Sequence, residues 1–275
     1  GLVGSEMCIR DRSLRDWKWM HPRLFDMARL MLPATLGLAV MQINVLVDTY
    51  FASYLAEGSI SYLYAANRII QFPLGVYAIA LATVAFPDLS KRAAAGNMDE
   101  LSTVLAHSLS MMMLLILPAT VGLIIIGGDL TALLFGYGRF AAQGSVQPTY
   151  LAIICYSLGL SAFSAVKILP TAFYSLQDTK TPVLIATAAV AANIILDILL
   201  MGPMQHAGLA LATTLSGALN AMLLAVMLSR RIGGGWATQW LRFSGKSLAA
   251  SAIMAVALWG VLTPKAIADA GPLLR

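Results

Sequence analysis

Apolar residues fall in seven long runs, at approximately 30–55, 60–86, 103–127, 149–174, 183–201, 207–229 and 245–263, separated by short polar breaks. Most of them reach the roughly 20 residues that an α-helix needs to cross the hydrocarbon of a bilayer. The last is the weakest, because its uninterrupted core runs only from Leu248 to Leu262. The breaks, such as Ala56-Glu57-Gly58-Ser59 and Gly202-Pro203-Met204-Gln205-His206, are turn-rich and too short to be domains. The longest, from Gly127 to Thr149, holds a half-apolar segment, Leu130 to Phe135, expected to lie along the membrane interface. No charged linker divides the chain. The pattern predicts an all-α fold, a polytopic transmembrane helix bundle of about seven spans.

Composition agrees, with 59% hydrophobic and 11% charged residues where a soluble domain has about 25% charged. The charges add an orientation. Arg15, Lys18, Arg23 and Arg29 precede the first span, Lys91 and Arg92 follow the second, Lys180 follows the fourth, and Arg230, Arg231, Arg242 and Lys246 follow the sixth. The other face carries Arg139, Lys265 and Arg275. By the positive-inside rule the start of the chain is cytoplasmic, so the net charge of +5 reflects topology rather than nucleic-acid binding. Ending outside after seven spans suggests that a further span is missing. Cys8 and Cys155 and the three scattered histidines give neither a disulfide framework nor a Cys/His metal site.

Residues 1–13 lack the apolar core and cleavage site of a signal peptide. They resemble translated sequencing-adapter read-through and are expected to be a non-native leader, which would make the chain a fragment. Residues 14–29 then form a cytoplasmic juxtamembrane segment. Trp17, Trp19, Trp236 and Trp240 flank the cytoplasmic ends of spans and are expected to be interfacial anchors. Pro33-Ala34-Thr35-Leu36-Gly37-Leu38 recurs as Pro118-Ala119-Thr120-Val121-Gly122-Leu123, each expected near the cytoplasmic start of an outward-running span. Gln177-Asp178-Thr179-Lys180-Thr181-Pro182 reads as a turn that caps a helix, with Pro182 near its first turn.

Candidate chemistry lies in four ionisable residues within the spans: Asp48, Arg68, Lys167 and Asp197. Each costs roughly 2.5 to 3.5 kcal/mol at the centre of a membrane helix on insertion scales. Arg68 shares one side of its helix with Asn67 and Gln71, and Pro73 cannot donate to the carbonyl of Ile69, so a kinked, polar half-helix facing a water-filled cavity is expected. Lys167 precedes Pro170 in a parallel span. The two cations could converge on a phosphate or diphosphate; alternatively each snorkels to its nearer interface.

The carboxylates form a second group. Asn44 and Asp48 are four apart, as are Asn193 and Asp197, so each pair presents two oxygens on one helix face, and Thr213 and Thr214 add hydroxyls. Hard oxygens suit a hard cation such as sodium, and protonation of either Asp is the proton-coupled version. Asp48, Asn193, Asp197 and Thr213 are the expected coupling-ion site; the alternative is that the carboxylates neutralise Arg68 or Lys167. No nucleophile-base set or phosphate loop stands out, so neither catalysis nor a cofactor is expected.

Several segments in this order carry a resemblance: Asp48-Thr49-Tyr50-Phe51-Ala52-Ser53, Ala65 to Val76 with its Arg and Phe-Pro-Leu-Gly, Phe86-Pro87-Asp88-Leu89-Ser90, Leu134-Phe135-Gly136-Tyr137-Gly138, and Phe173-Tyr174-Ser175-Leu176 continuing through Gln177 to Pro182. Together they resemble the C-terminal half of the MurJ/MviN lipid II flippases of the multidrug/oligosaccharidyl-lipid/polysaccharide (MOP) exporter superfamily, over nearly everything after residue 24. The resemblance implies two six-helix lobes plus two C-terminal helices in the whole protein, which lies in the bacterial cytoplasmic membrane and carries an undecaprenyl-diphosphate-linked peptidoglycan precursor outward by alternating access. Residues 30–229 would be the C-terminal lobe and 230–275 a cytoplasmic loop plus one accessory helix, with the N-terminal lobe as the missing partner.

The resemblance also implies roles. Arg68 and Lys167 match basic cavity positions, so Arg68, Lys167, Asn67 and Gln71 are the expected substrate-binding residues. Asp48, Asn193 and Asp197 match a sodium site. Gln71 stands where some relatives carry an acid. An exporter of another cargo (an O-antigen or polysaccharide lipid, or a drug) and a non-transporting scaffold are the other readings.

Overall fold

A computed structural model describes residues 42–262; residues 1–13 and 14–29, Trp17, Trp19, the first Pro-Ala-Thr motif and the beginning of the first span lie outside them. The described chain is helical with short connections. Helix α1 occupies 42–53, α2 Ser59–Pro73 and α3 Ala80–Ala94, the last two joined through a π-helical stretch, Leu74–Ile79. Then come α4 Met98–Phe135, the short α5 Gly138–Ala142, α6 Val146–Ser175, α7 Lys180–Ile232 and α8 Gly235–Leu262. The 59–94 stretch, α4, α6, α7 and α8 are each long and apolar enough to cross a membrane.

Local chemistry sets the boundaries. Pro73 has no N–H for the carbonyl of Ile69, and the ladder widens from the next residue into the π turn. The helix then continues to Ala94, beyond the expected end of the second span. Gly96, at φ 72°, ends α3 in a Schellman motif, with the Asn97 amide donating to Arg92 and the Gly96 amide to Ala93. Asn97 then caps α4 by accepting from the Glu100 amide at 3.2 Å, and Asp99 and Glu100 fill its acidic first turn. An ion pair between Arg92 and Glu100 ties the two helices across this turn.

The expected interfacial segment Leu130 to Phe135 is instead the last turn and a half of α4, since nothing in it breaks the helical ladder. Pro118 lies near the middle of α4 rather than near its start.

Helix α7 is a hairpin. Its only non-helical residue is Gln205, at φ 51° and ψ −132°, so the expected five-residue break at 202–206 narrows to one residue. The arms fold back on each other: Ser216 reaches Asn193, and a Cβ built on Gly208 would stand 2.2 Å from the Leu200 carbonyl oxygen. Only glycine permits that approach. Among the described residues, α7 therefore supplies two passes, which with the 59–94 stretch, α4, α6 and α8 make six, and α1 packs beside them.

Helix α6 is the central element, packed against α2, α3, α4 and α7. Small residues bring α7 close, as is usual where no hydrophobic force operates between helices in lipid. A Cβ on Gly159 would meet the Thr214 hydroxyl at 2.8 Å, and one on Gly217 would meet the Phe163 ring at 2.4 Å. Leu101, Leu105, Leu109, Met112 and Ile116 form a fully buried stripe on α4. Outward, Leu133, Ile253, Val256 and Trp259 are each more than 70% exposed, as lipid-facing side chains are.

Two ends can be distinguished. At the basic end Asp178 accepts from the amides of Lys180 and Thr181 and from the Thr181 hydroxyl, so the expected capping turn is present. It also pairs with Arg231 at 2.6 Å, whose guanidinium stands over the Phe173 ring. Burial alone would push the Asp178 carboxyl up, but these donors and Arg231 outweigh it and hold it below the usual carboxylate range. At the far end, His206 in the hairpin tip bonds the Pro148 carbonyl at 3.0 Å and meets the Tyr62 ring edge-on. Trp236 is not an interfacial anchor: it is 1% exposed and stacks on Trp240 within the packed interior.

Candidate functional site

Three passes bring a polar cluster together. Asn193 and Asp197 lie one turn apart on the first arm of α7, fully buried, and the Asn193 side-chain amide donates both to Asp197 at 2.6 Å and to Asp48 of α1 at 3.0 Å. The second oxygen of Asp48 accepts from Asn44 at 3.3 Å and from Thr213, on the second arm, at 3.4 Å. The four expected ion-site residues thus meet, although 145 positions separate Asp48 from Asn193.

The cluster also contains a residue that the spacing did not reveal. Ser216 donates to Asn193 Oδ1 at 2.7 Å and so fixes which way that amide faces. Thr214, expected to add its hydroxyl to this group, instead bonds the Cys155 carbonyl at 2.8 Å and holds the second arm against α6. The signal available was Thr213-x-x-Ser216, one turn of one helix face.

Two carboxyl groups thus share one amide, that of Asp197 fully buried and that of Asp48 half-buried. Among the described residues the ion pairs are Arg92–Glu100 and Arg231–Asp178. Neither Asp48 nor Asp197 is paired with a cation, and the reading in which they neutralise Arg68 or Lys167 falls. The buried Oδ1 of Asp197 has no hydrogen-bond partner. A group of three or more His, Cys, Asp or Glu side chains able to hold a metal is absent among the described residues. The donor set is instead hard oxygen from carboxylate and hydroxyl, which fits a monovalent hard cation or a proton and not a thiophilic metal.

The cationic residues are placed differently. Arg68, on α2, bonds the Tyr64 hydroxyl, and its guanidinium carbon lies 4.7 Å from the centre of the Tyr64 ring. Asn67 and Gln71 bond each other through their amides. These four side chains are one exposed polar stripe, while Leu63, Ala66, Ile69, Ile70 and Pro73 bury the opposite face. Such a stripe within a span suits water or polar protein rather than acyl chains. Lys167 is half-buried on α6. The structure does not bring it beside Arg68. Measured from the level where Tyr62, Pro148 and His206 meet, Arg68 lies ~9 Å and Lys167 ~28 Å along their helices at 1.5 Å per residue.

The family model described as "Lipid II flippase MurJ" matches residues 7–266. The chain is 38% identical, over 223 residues, to a probable lipid II flippase MurJ of Vibrio cholerae serotype O1, covering 81% of this chain and 42% of that protein. Its fold is similar to a solved structure of lipid II flippase MurJ in an inward closed conformation, with a TM-score of 0.71, 26% identity, and 88% and 50% of the two chains covered. A multidrug resistance MATE family transporter of the MOP superfamily, in an outward-facing conformation, shares the fold at a TM-score of 0.66 and 18% identity, over 84% and 53% of the two chains. The chain thus spans about half the length of the relatives it matches.

Proposed function

The chain belongs to the lipid II flippase MurJ family, and from that premise we propose that it forms one lobe of a lipid flippase of the bacterial cytoplasmic membrane. The substrate is an undecaprenyl-diphosphate-linked peptidoglycan precursor, carried from the inner to the outer leaflet. The protein is a transporter and not an enzyme. The lobe works with an N-terminal lobe, and the substrate occupies the cavity between them.

The observation that carries this reading is the exposed polar stripe of Tyr64, Asn67, Arg68 and Gln71 on a membrane span. Its cation would replace part of the hydration of the lipid's diphosphate, with the guanidinium as a fork-shaped donor. Lys167 lies ~19 Å deeper toward the basic end, so it would meet the charged head at an earlier stage of its path rather than together with Arg68. The π turn after Pro73 supplies the bend about which α2 and α3 could shift as the lobes rock. An inside-negative potential favours outward movement of each unpaired negative charge by about 2.3 kcal/mol per 100 mV.

The carboxylate cluster is the coupling site. Asp48, Asp197 and Thr213 would supply oxygens to a sodium ion or, alternatively, a carboxylate would take up a proton; Asn193 would bridge the two acids. Occupancy joins α1 to the α7 hairpin and biases the lobe toward one conformation.

The test is Arg68→Ala in a protein containing both lobes. Flipping of the lipid into the outer leaflet should fall at least tenfold while membrane insertion stays unchanged. Normal flipping by that variant refutes the substrate role. A scaffold would tolerate neutralisation of Asp48, Arg68, Lys167 and Asp197 together.

A further inference from the structure

A second polar feature lies apart from these sites. Helices α4 and α8 enclose a groove of about 510 Å³ at the basic end. Thr238, Arg242 and Lys246 recur every four residues along α8 and form one stripe on its wall. His107 and Met111, also four apart, face it from α4, and Phe243 adds an apolar side. The walls are fixed by packing: the buried Ser247 hydroxyl donates to the Met113 carbonyl at 3.2 Å, directly beside the groove. No acid lines it, and neither Arg242 nor Lys246 is in an ion pair among the described residues. Two cations and an imidazole therefore converge on space that an anion would fill.

Depth decides which anion. Lys246 lies two residues before the apolar stretch that begins at Leu248, and His107 lies one turn inside the apolar part of α4. The groove thus sits where headgroups give way to acyl chains. Met111, Leu114 and Leu248 next to it are each exposed by 42% or more, so the charged mouth continues into an open apolar track. That sequence of basic mouth and apolar track matches an amphiphile and not a free inorganic ion.

We propose that this groove binds the headgroup phosphate of an anionic phospholipid in the leaflet at the basic end. Arg242 provides a forked contact and Lys246 a point charge. His107 and Thr238 donate hydrogen bonds, and an acyl chain follows Met111 and Leu114.

Native mass spectrometry of the detergent-purified chain tests this, with phosphatidylglycerol and phosphatidylcholine of matched acyl chains as probes. Phosphatidylglycerol should be retained in preference to phosphatidylcholine. Arg242→Gln with Lys246→Gln should weaken phosphatidylglycerol roughly 30-fold, from the loss of two basic contacts, and leave phosphatidylcholine unchanged. The charge-conserving pair Arg242→Lys with Lys246→Arg should bind within a few-fold of the parent. Equal retention of the two lipids by the unaltered chain overturns the proposal, and this arm needs no variant to fold. So does undiminished phosphatidylglycerol binding by the glutamine pair, or displacement of the lipid by millimolar inorganic phosphate. The readout is independent of transport, so its failure would leave the flippase reading untouched.

Discussion

Asp197 holds two oxygens in unlike states: one accepts from Asn193 at 2.6 Å, and the other is buried and accepts from nothing among the described residues. An unsatisfied buried acceptor costs about 1 to 3 kcal/mol, a cost that an arriving cation would remove. Sodium should therefore stabilise the folded chain, by about 2.7 kcal/mol at a hundred times its dissociation constant. Thermal unfolding in detergent with sodium exchanged for choline measures this; Asp48→Asn and Asp197→Asn should abolish the sodium response, and a sodium-independent midpoint in the unaltered chain removes the sodium assignment. Ser216→Ala, which frees the Asn193 carbonyl oxygen, should weaken the response without abolishing it. The carboxylate pairs were legible in the sequence because Asn-x-x-x-Asp places both groups on one face and little else in an apolar run can explain them. Ser216 was not, because a hydroxyl in an apolar helix commonly bonds a carbonyl of its own previous turn, as Thr213 does with Leu209. Which hydroxyl also reaches across to another side chain is decided by packing.

At the scale of elements, the spans from residue 59 onward were legible because length and apolarity alone identify them. Their ends were harder. The second span continues past Phe86 because capping at Gly96 and Asn97, rather than apolarity, terminates it. The burial of Trp236 depends on the docking of α8, which no local pattern encodes. Close approaches at glycine set the packing of the hairpin. Gly217→Ala would drive a methyl into the Phe163 ring, 2.4 Å away, and should lower stability by roughly 1 to 3 kcal/mol; thermal unfolding would show it, and Phe163→Leu in the same chain should recover part of the loss. The Asp178 clasp makes a pH prediction. Its carboxyl is held below its ordinary value, so the stability it contributes is present above the unfolded value, about 3.9, and is lost as pH falls through the folded value. Asp178→Asn should unfold at a lower temperature at neutral pH and lose less than the parent on acidification below pH 4.

The whole molecule presents two unlike surfaces. Val256 and Ile253, both over 70% exposed, belong to an apolar shell that suits lipid, whereas the exposed face of α2 carries Tyr64, Asn67, Arg68 and Gln71. A cysteine placed at Gln71 should react with a membrane-impermeant thiol reagent in intact membranes of a two-lobe protein, and one at Val256 should not. Equal protection of both would place the stripe against lipid and remove the cavity reading.

The α7 hairpin is fastened at both extremities, by His206 to Pro148 at one and by Asp178 to Arg231 at the other. It is a beam clamped at its supports, and the carboxylate cluster lies between them. With the hairpin held at both ends, a change in occupancy is expected to show in α1, which contributes Asp48 and Asn44 and is joined to the hairpin through this cluster. Ion occupancy would thus act as a clutch: it engages α1 with a stiff frame or lets it slip, while the frame itself keeps its shape.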